Sequence, residues 1–197
     1  ISDLMPMKDE NRLIVKKGLK LMSRTPLSCL QYLIAKQNLI SKPISSVNVS
    51  FKIAPVLNAA GRMGKPEEAL ELLISDDPGV IEELSLRLLD MNQQRQKSEE
   101  EIMEKVSIKA EESLIKNDGK IIMIDDPDVP RGLTGSIASR LSNDKKIPVI
   151  VMAGVDGKIV GSMRCTEPWN AREFLSNFSY LFEDYGGHRF AAGFRSD

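Results

Sequence analysis

The sequence predicts an α/β protein in three stretches: a mainly helical part over residues 1–79, a long connecting helix over 80–116, and a small α/β domain with a mixed sheet over 117–197. Three observations carry this prediction. Short amphipathic segments with helix-start signals fill the first stretch. Apolar residues then recur at helical spacing from Ile81 to Ile115. Beyond them, the β-branched runs KIIMID and IPVIVMA flank the amphipathic GLTGSIASRL, which is a βαβ pattern.

Taken in order, Leu13, Ile14, Leu19 and Met22 fit a short helix over 11–22. Thr25-Pro26 reads as an N-cap followed by proline at the first helical position, opening a second helix to about Gln37. Between 47 and 53 the sequence alternates Val, Val, Phe, Ile, which argues a strand, while Ser45 equally suits a helix cap, and both readings stand. Pro66 opens PEEALELLI, with acids in its first turn where they oppose the helix dipole, and Asp76-Asp77-Pro78-Gly79 ends it. The stripe Ile81, Leu84, Leu88, Met91, Ile102, Val106, Ala110 follows, in one helix or two nearly continuous ones, longer than a small domain needs for its own packing and suited to connecting two. After Asn117-Asp118-Gly119 comes the βαβ pattern. Asp156-Gly157 then makes a hairpin turn into KIVGSMR, and Asn170 with Glu173 resembles a capping box for a helix reaching Phe182.

A hydrophobic fraction of 42% in 197 residues is enough for a real core. The 27 basic residues against 28 acidic ones exclude the broad positive field of non-specific duplex binders, so any anion site is local. Two distant cysteines, Cys29 and Cys165, give neither a disulfide framework nor a zinc motif, which points to the cytoplasm. No apolar run is long enough to span a bilayer, and the first residues lack the layout of a signal peptide, so no membrane partner is expected. With no initiator Met, Ile1 is expected to begin inside a longer protein.

Three segments offer chemistry. In GGHRFAAGF (186–194) the sole histidine, His188, follows Gly186 and Gly187. Paired glycines let backbone approach a ligand and the imidazole can donate to an oxyanion, although taken alone a lone histidine after a glycine turn is more often structural. In GSMR (161–164), Ser162 and Arg164 stand two apart at the end of a strand and share a face. A hydroxyl beside a guanidinium suits a phosphate, because arginine offers it paired donors; an ordinary solvent-facing pair has the same pattern. NAAGRMG (58–64) combines small residues with Arg62 and lacks the GK[ST] ending of a nucleotide loop; it reads otherwise as a tightly packed turn. Asp3 alone cannot hold a metal pair. Asp125, Asp126 and Asp128 lie among prolines that favour a turn.

Together and in this order, SDLMPMKDENR, IAPVLNAAGRMG, NQQRQKSEE, RGLTGSIASRL, GSMR and GGHRFAAGF resemble the RecJ branch of the DHH phosphoesterase superfamily, over nearly the whole chain. The resemblance makes 1–79 the C-terminal part of a DHH catalytic domain, 80–116 its connecting helix and 117–197 the DHH-associated, substrate-binding domain. It implies a 5′ to 3′ exonuclease specific for single-stranded DNA, acting in repair and recombination, with a pair of Mn2+ or Mg2+ ions activating water against the phosphodiester. Asp3 corresponds to the aspartate of the fourth metal motif, catalytic and metal-binding. Arg62, Gln96, Ser162, Arg164 and His188, with Gly186 and Gly187 opening the approach, correspond to groups that bind the 5′-terminal phosphate or the adjoining backbone. The partners implied are single-stranded DNA with a 5′ end and repair or replication proteins such as a helicase or single-strand-binding protein. The first three metal motifs would lie before Ile1, so these residues alone are expected not to cleave DNA. Cys165 stands where the family usually has serine. Two alternatives stand beside this reading: a catalytically inactive replication scaffold of the same branch, and a related phosphoesterase acting on very short oligonucleotides or nucleotides, against which NAAGRMG followed by the long connector speaks.

Overall fold

The computed structural model describes residues 6–40 and 42–197. They form two compact units, Ile1–Gln96 and Lys97–Asp197, each with its own apolar core.

The first unit is helical. Helix α1 spans Asp9–Met22 and α2 spans Ser28–Lys36. Thr25 does not cap α2 as expected. Its hydroxyl accepts from the Leu27 amide at 3.2 Å, forming a turn that delays the helix to Ser28. The open question at Ser45 is resolved in favour of helix. Its hydroxyl accepts from the Asn48 amide at 3.2 Å while the Asn48 side chain accepts from the Ser45 amide at 2.9 Å, a reciprocal cap that starts α3 (Ser46–Asn48). A π-helical turn, Val49–Ile53, leads directly into α4 (Ala54–Arg62). Pro55 has no amide to donate, and the widened turn, in which the Ala54 amide reaches Val49, accommodates it without ending the helix. The alternating apolar residues therefore serve no sheet: Val47 and Phe51 are exposed and Ile53 is buried.

Helix α4 ends in a Schellman turn. Lys65 donates to Ala60 at 2.8 Å and Gly64 to Gly61 at 3.3 Å, with Gly64 at φ +78°. Helix α5 (Pro66–Ile74) follows, then α6 (Pro78–Lys116), one helix throughout. The expected connector is thus continuous, and it is shared between the units: Ile81, Leu84, Leu88 and Met91 enter the first core, Val106 and Ala110 the second.

In the second unit, β1 (Ile122–Asp125) pairs in parallel with β2 (Val149–Val155), and α7 (Arg131–Lys145) crosses between them, as the βαβ pattern predicts. Asp156 and Gly157, both at positive φ, turn β2 into the antiparallel β3 (Lys158–Arg164). The second helix of this unit is shorter than expected. Asn170 caps α8, which covers only Ala171–Ser176 before a separate 3₁₀ turn at Ser179–Leu181. Strands β4 (Asp184–Gly187) and β5 (Ala191–Ser196) complete a mixed sheet in the order β1-β2-β3-β5-β4. One face packs against α7 and α6 through Ile122, Ile124, Val149 and Val151; Met163, Ala192 and Phe194 on the other pack against α8.

Candidate functional site

Alternation along β3 decides what its end can do. Gly161 and Met163 are buried on the α8 side, which leaves Ser162 and Arg164 half-buried on the face turned to α7. There the Ser162 hydroxyl lies 2.9 Å from that of Thr134, itself only 2% exposed. The Arg164 guanidinium rests against Gly135: a Cβ at that position would stand 2.8 Å from Nη2. Its Nη1 donates to the main-chain oxygens of Met163, at 2.9 Å, and Ala192, at 3.3 Å. Helix and strand thus hold a hydroxyl and a guanidinium side by side, as the two-residue spacing predicts.

Thr134 and Gly135 are site residues that spacing alone does not single out. The available signal is a glycine inside a helical pattern, which costs helix stability and marks a close approach.

His188 opens the loop between β4 and β5. Gly187, at φ +137°, admits no other residue, since a Cβ there would stand 2.4 Å from the Ala191 oxygen and 2.5 Å from the Ala192 Cα. Gly186 meets no such limit and leaves open space beside the strand. The His188 amide donates to Ala191 at 2.7 Å, and Ala191 pairs with Arg164. Arg164 and His188 therefore occupy one row across the sheet end, separated by two strand spacings, about 10 Å between main chains. Gly186, Gly187 and His188 also border an open cleft of about 810 Å³ with Arg172 and Ser176 of α8. The exposed Arg189 pairs with Glu167 at 2.6 Å.

The remaining predicted residues belong to the first unit. Arg62 is exposed in the last turn of α4, the helix that buries Ala59 and Ala60 and closes in the Schellman turn. The NAAGRMG segment is therefore a helix end. Gln96, exposed on α6, borders a polar cleft with Lys52, Asp90 and Gln93. Asp3 lies outside the described residues.

Among the described residues no group of three or more histidine, cysteine or acidic side chains is placed to hold a metal ion. At the end of β1, Asp126 is buried and its carboxylate accepts from Lys109 at 2.9 Å and from the Asp128 amide at 3.0 Å. The Lys109 ammonium holds its pKa below the usual aspartate value. That carboxylate pins a turn. No described helix is long and apolar enough to cross a membrane.

Residues 118–197 match the family model of the DHHA1 domain. Across all 197 residues the chain is 36% identical to the single-stranded-DNA-specific exonuclease RecJ of Thermus thermophilus, spanning 28% of that protein. Over 196 residues it is 33% identical to the protein of the same name from Bacillus subtilis, covering 98% of this chain and 25% of the relative. Among solved structures, RecJ of Thermus thermophilus in complex with Mn2+ superposes with a TM-score of 0.86 at 34% identity, over all of this chain and 28% of that one. The Mg2+ complex gives 0.84 at the same identity, over all of this chain and 30% of that one. The chain spans about a quarter of the length of these curated relatives. Over its whole length the chain is similar to a part of these RecJ proteins, and residues 118–197 match the DHHA1 domain.

Proposed function

We propose that these residues belong to an exonuclease that degrades single-stranded DNA from its 5′ end in repair and recombination, and that their part in it is to anchor the 5′-terminal phosphate. The observation that carries this reading is the pairing of Ser162 and Arg164 on one face of β3, with the guanidinium seated on Gly135. Arginine meets a phosphate with two parallel donors, and each charge-assisted hydrogen bond contributes about 1.5–3 kcal/mol. His188, in the same row of the sheet, adds a donor from the other side, and the open space at Gly186 gives the strand an approach. In this reading Arg62 and Gln96, on the first unit, are further DNA-binding groups.

The substrate follows from the relatives, which are named single-stranded-DNA-specific exonucleases. Solved relatives contain Mn2+ or Mg2+, so hydrolysis is assigned to a divalent metal pair with Asp3 among its ligands. The described residues do not themselves fit a metal, and no chemical step is assigned to them. A cytoplasmic location, with a helicase or single-strand-binding protein as partner, accords with that substrate.

The test compares binding of one oligonucleotide sequence bearing either a 5′ phosphate or a 5′ hydroxyl. Arg164→Ala and His188→Ala should each weaken the phosphorylated strand about tenfold or more, and the hydroxyl strand little, as expected for lost charge-assisted bonds. Equal losses on both strands would remove the phosphate assignment.

A further inference from the structure

A hydroxyl has one proton, and the proton of Thr134 is committed. Thr134 Oγ1 donates to the main-chain oxygen of Arg131 at 3.0 Å, and a carbonyl can only accept. In the 2.9 Å contact between Thr134 and Ser162, Thr134 must therefore accept and Ser162 must donate. So arranged, Ser162 turns its proton inward to α7 and presents only lone pairs outward. A phosphate, all acceptor, is poorly served by that orientation.

We infer that Thr134 is a positioning residue whose hydroxyl turns with that of Ser162 when a phosphate arrives: Ser162 then donates to the phosphate, and Thr134 leaves Arg131 to donate to Ser162. The inference rests on the phosphate reading of Ser162 and Arg164. No proton changes atoms. Two rotations about C–O bonds reverse the direction of a short hydrogen-bonded chain: Thr134 changes from accepting from Ser162 to donating to it, and Ser162 becomes both acceptor and donor. The change is inexpensive at the other end, because the Arg131 oxygen lies in the first turn of α7, where the helix supplies it a main-chain donor one turn on. Thr134 is too buried to touch the ligand itself, so its effect must pass through Ser162. A chain of hydroxyls ending on an anion is stronger than its last link alone, since each bond polarises the next.

The experiment uses the 197-residue chain with single strands of one sequence carrying a 5′ phosphate or a 5′ hydroxyl, and reads the ratio of the two affinities. Thr134→Val keeps the shape and removes the donor; the preference for phosphate should fall about fivefold to tenfold. Thr134→Ser keeps the hydroxyl and should retain the preference within twofold, a rescue that a purely packing role of the threonine methyl does not predict. Thr134→Ala carries the same comparison if the valine variant does not fold. An undiminished preference in Thr134→Val or Thr134→Ala, or a loss in Thr134→Ser as large as theirs, overturns the inference. Ser162→Ala separates the two levels. If it lowers the preference while Thr134→Val does not, the relay alone fails. If neither Ser162→Ala nor Arg164→Ala lowers it, or the unaltered chain shows no preference, the phosphate reading fails and the relay with it.

Discussion

Gly135 sets two demands on one position against each other. Inside α7 an alanine is favoured over glycine by about 0.5–1 kcal/mol, because it has less backbone freedom to lose. Against Arg164, however, the added methyl would stand 2.8 Å from Nη2 and 3.6 Å from Cζ. The guanidinium is the far end of a flexible side chain, so it can yield without disturbing the sheet, but not without leaving its present place beside Ser162. Gly135→Ala should therefore melt at the same temperature or slightly higher and yet bind a 5′-phosphorylated strand about tenfold more weakly, the scale of one lost charge-assisted bond. Thermal unfolding and fluorescence anisotropy on the same preparation check both halves; a variant that loses stability and keeps its affinity contradicts the account. Ser162 and Arg164 were legible in the sequence because a strand has a period of two and their spacing names their face. Thr134 and Gly135 were not, because what they do depends on Ser162 and Arg164 of a strand much further along the chain, and no local pattern encodes that meeting.

At the level of elements, the sheet depends on another glycine. Gly161 on β3 pairs with Phe194 on β5, and the Phe194 ring folds back over it, so that a Cβ at 161 would lie 2.1 Å from the ring. The same ring stacks on Phe182 with centroids 4.5 Å apart. Gly161→Ala must push the ring out of both contacts, and overpacking of this kind costs about 1–3 kcal/mol. The expected result is a lower urea midpoint for the second unit, with the slope of the transition unchanged. A midpoint equal to that of the native chain would show that the ring has room to move. The elements themselves were read with uneven success, and the misreadings have local causes. The 47–53 alternation looks like a strand because apolar residues at every second position are ambiguous until something buries one face. Here Ile53 is buried while Val47 and Phe51 face solvent, and the reciprocal cap at Ser45 starts a helix instead. The helix after Asn170 was read too long because its apolar residues continue to Phe182, although there they serve a 3₁₀ turn and the ring stack on Phe194.

On the scale of the whole molecule, α6 joins two cores through a stretch, residues 92–101, that adds no apolar side chain to either. Met91 is its last buried residue in the first unit and Val106 its first in the second; between them no side chain is buried. The helix there is held by the intrinsic preferences of Gln, Arg, Lys and Glu and by weak pairs such as Lys97 with Glu101 at 3.9 Å, worth a few tenths of a kcal/mol. This follows from the sequence, where NQQRQKSEEE interrupts the apolar stripe. Spacing alone gives Arg62 and Gln96 no ligand, which is why their DNA-binding role stands only as a proposal. The energetic consequence can be measured without reference to any ligand. Amides of 93–101 should exchange with solvent through local opening, faster than those of 81–91 and 106–110, which open only when their cores do. Lys97→Gly, at an exposed position, should cost about 1 kcal/mol of local helix stability and quicken exchange in 93–101. Protection in the two flanking segments should stay at its native level. If that single exposed substitution instead lowers protection in both segments together, the two cores unfold as one body and the helix between them is a structural member of both.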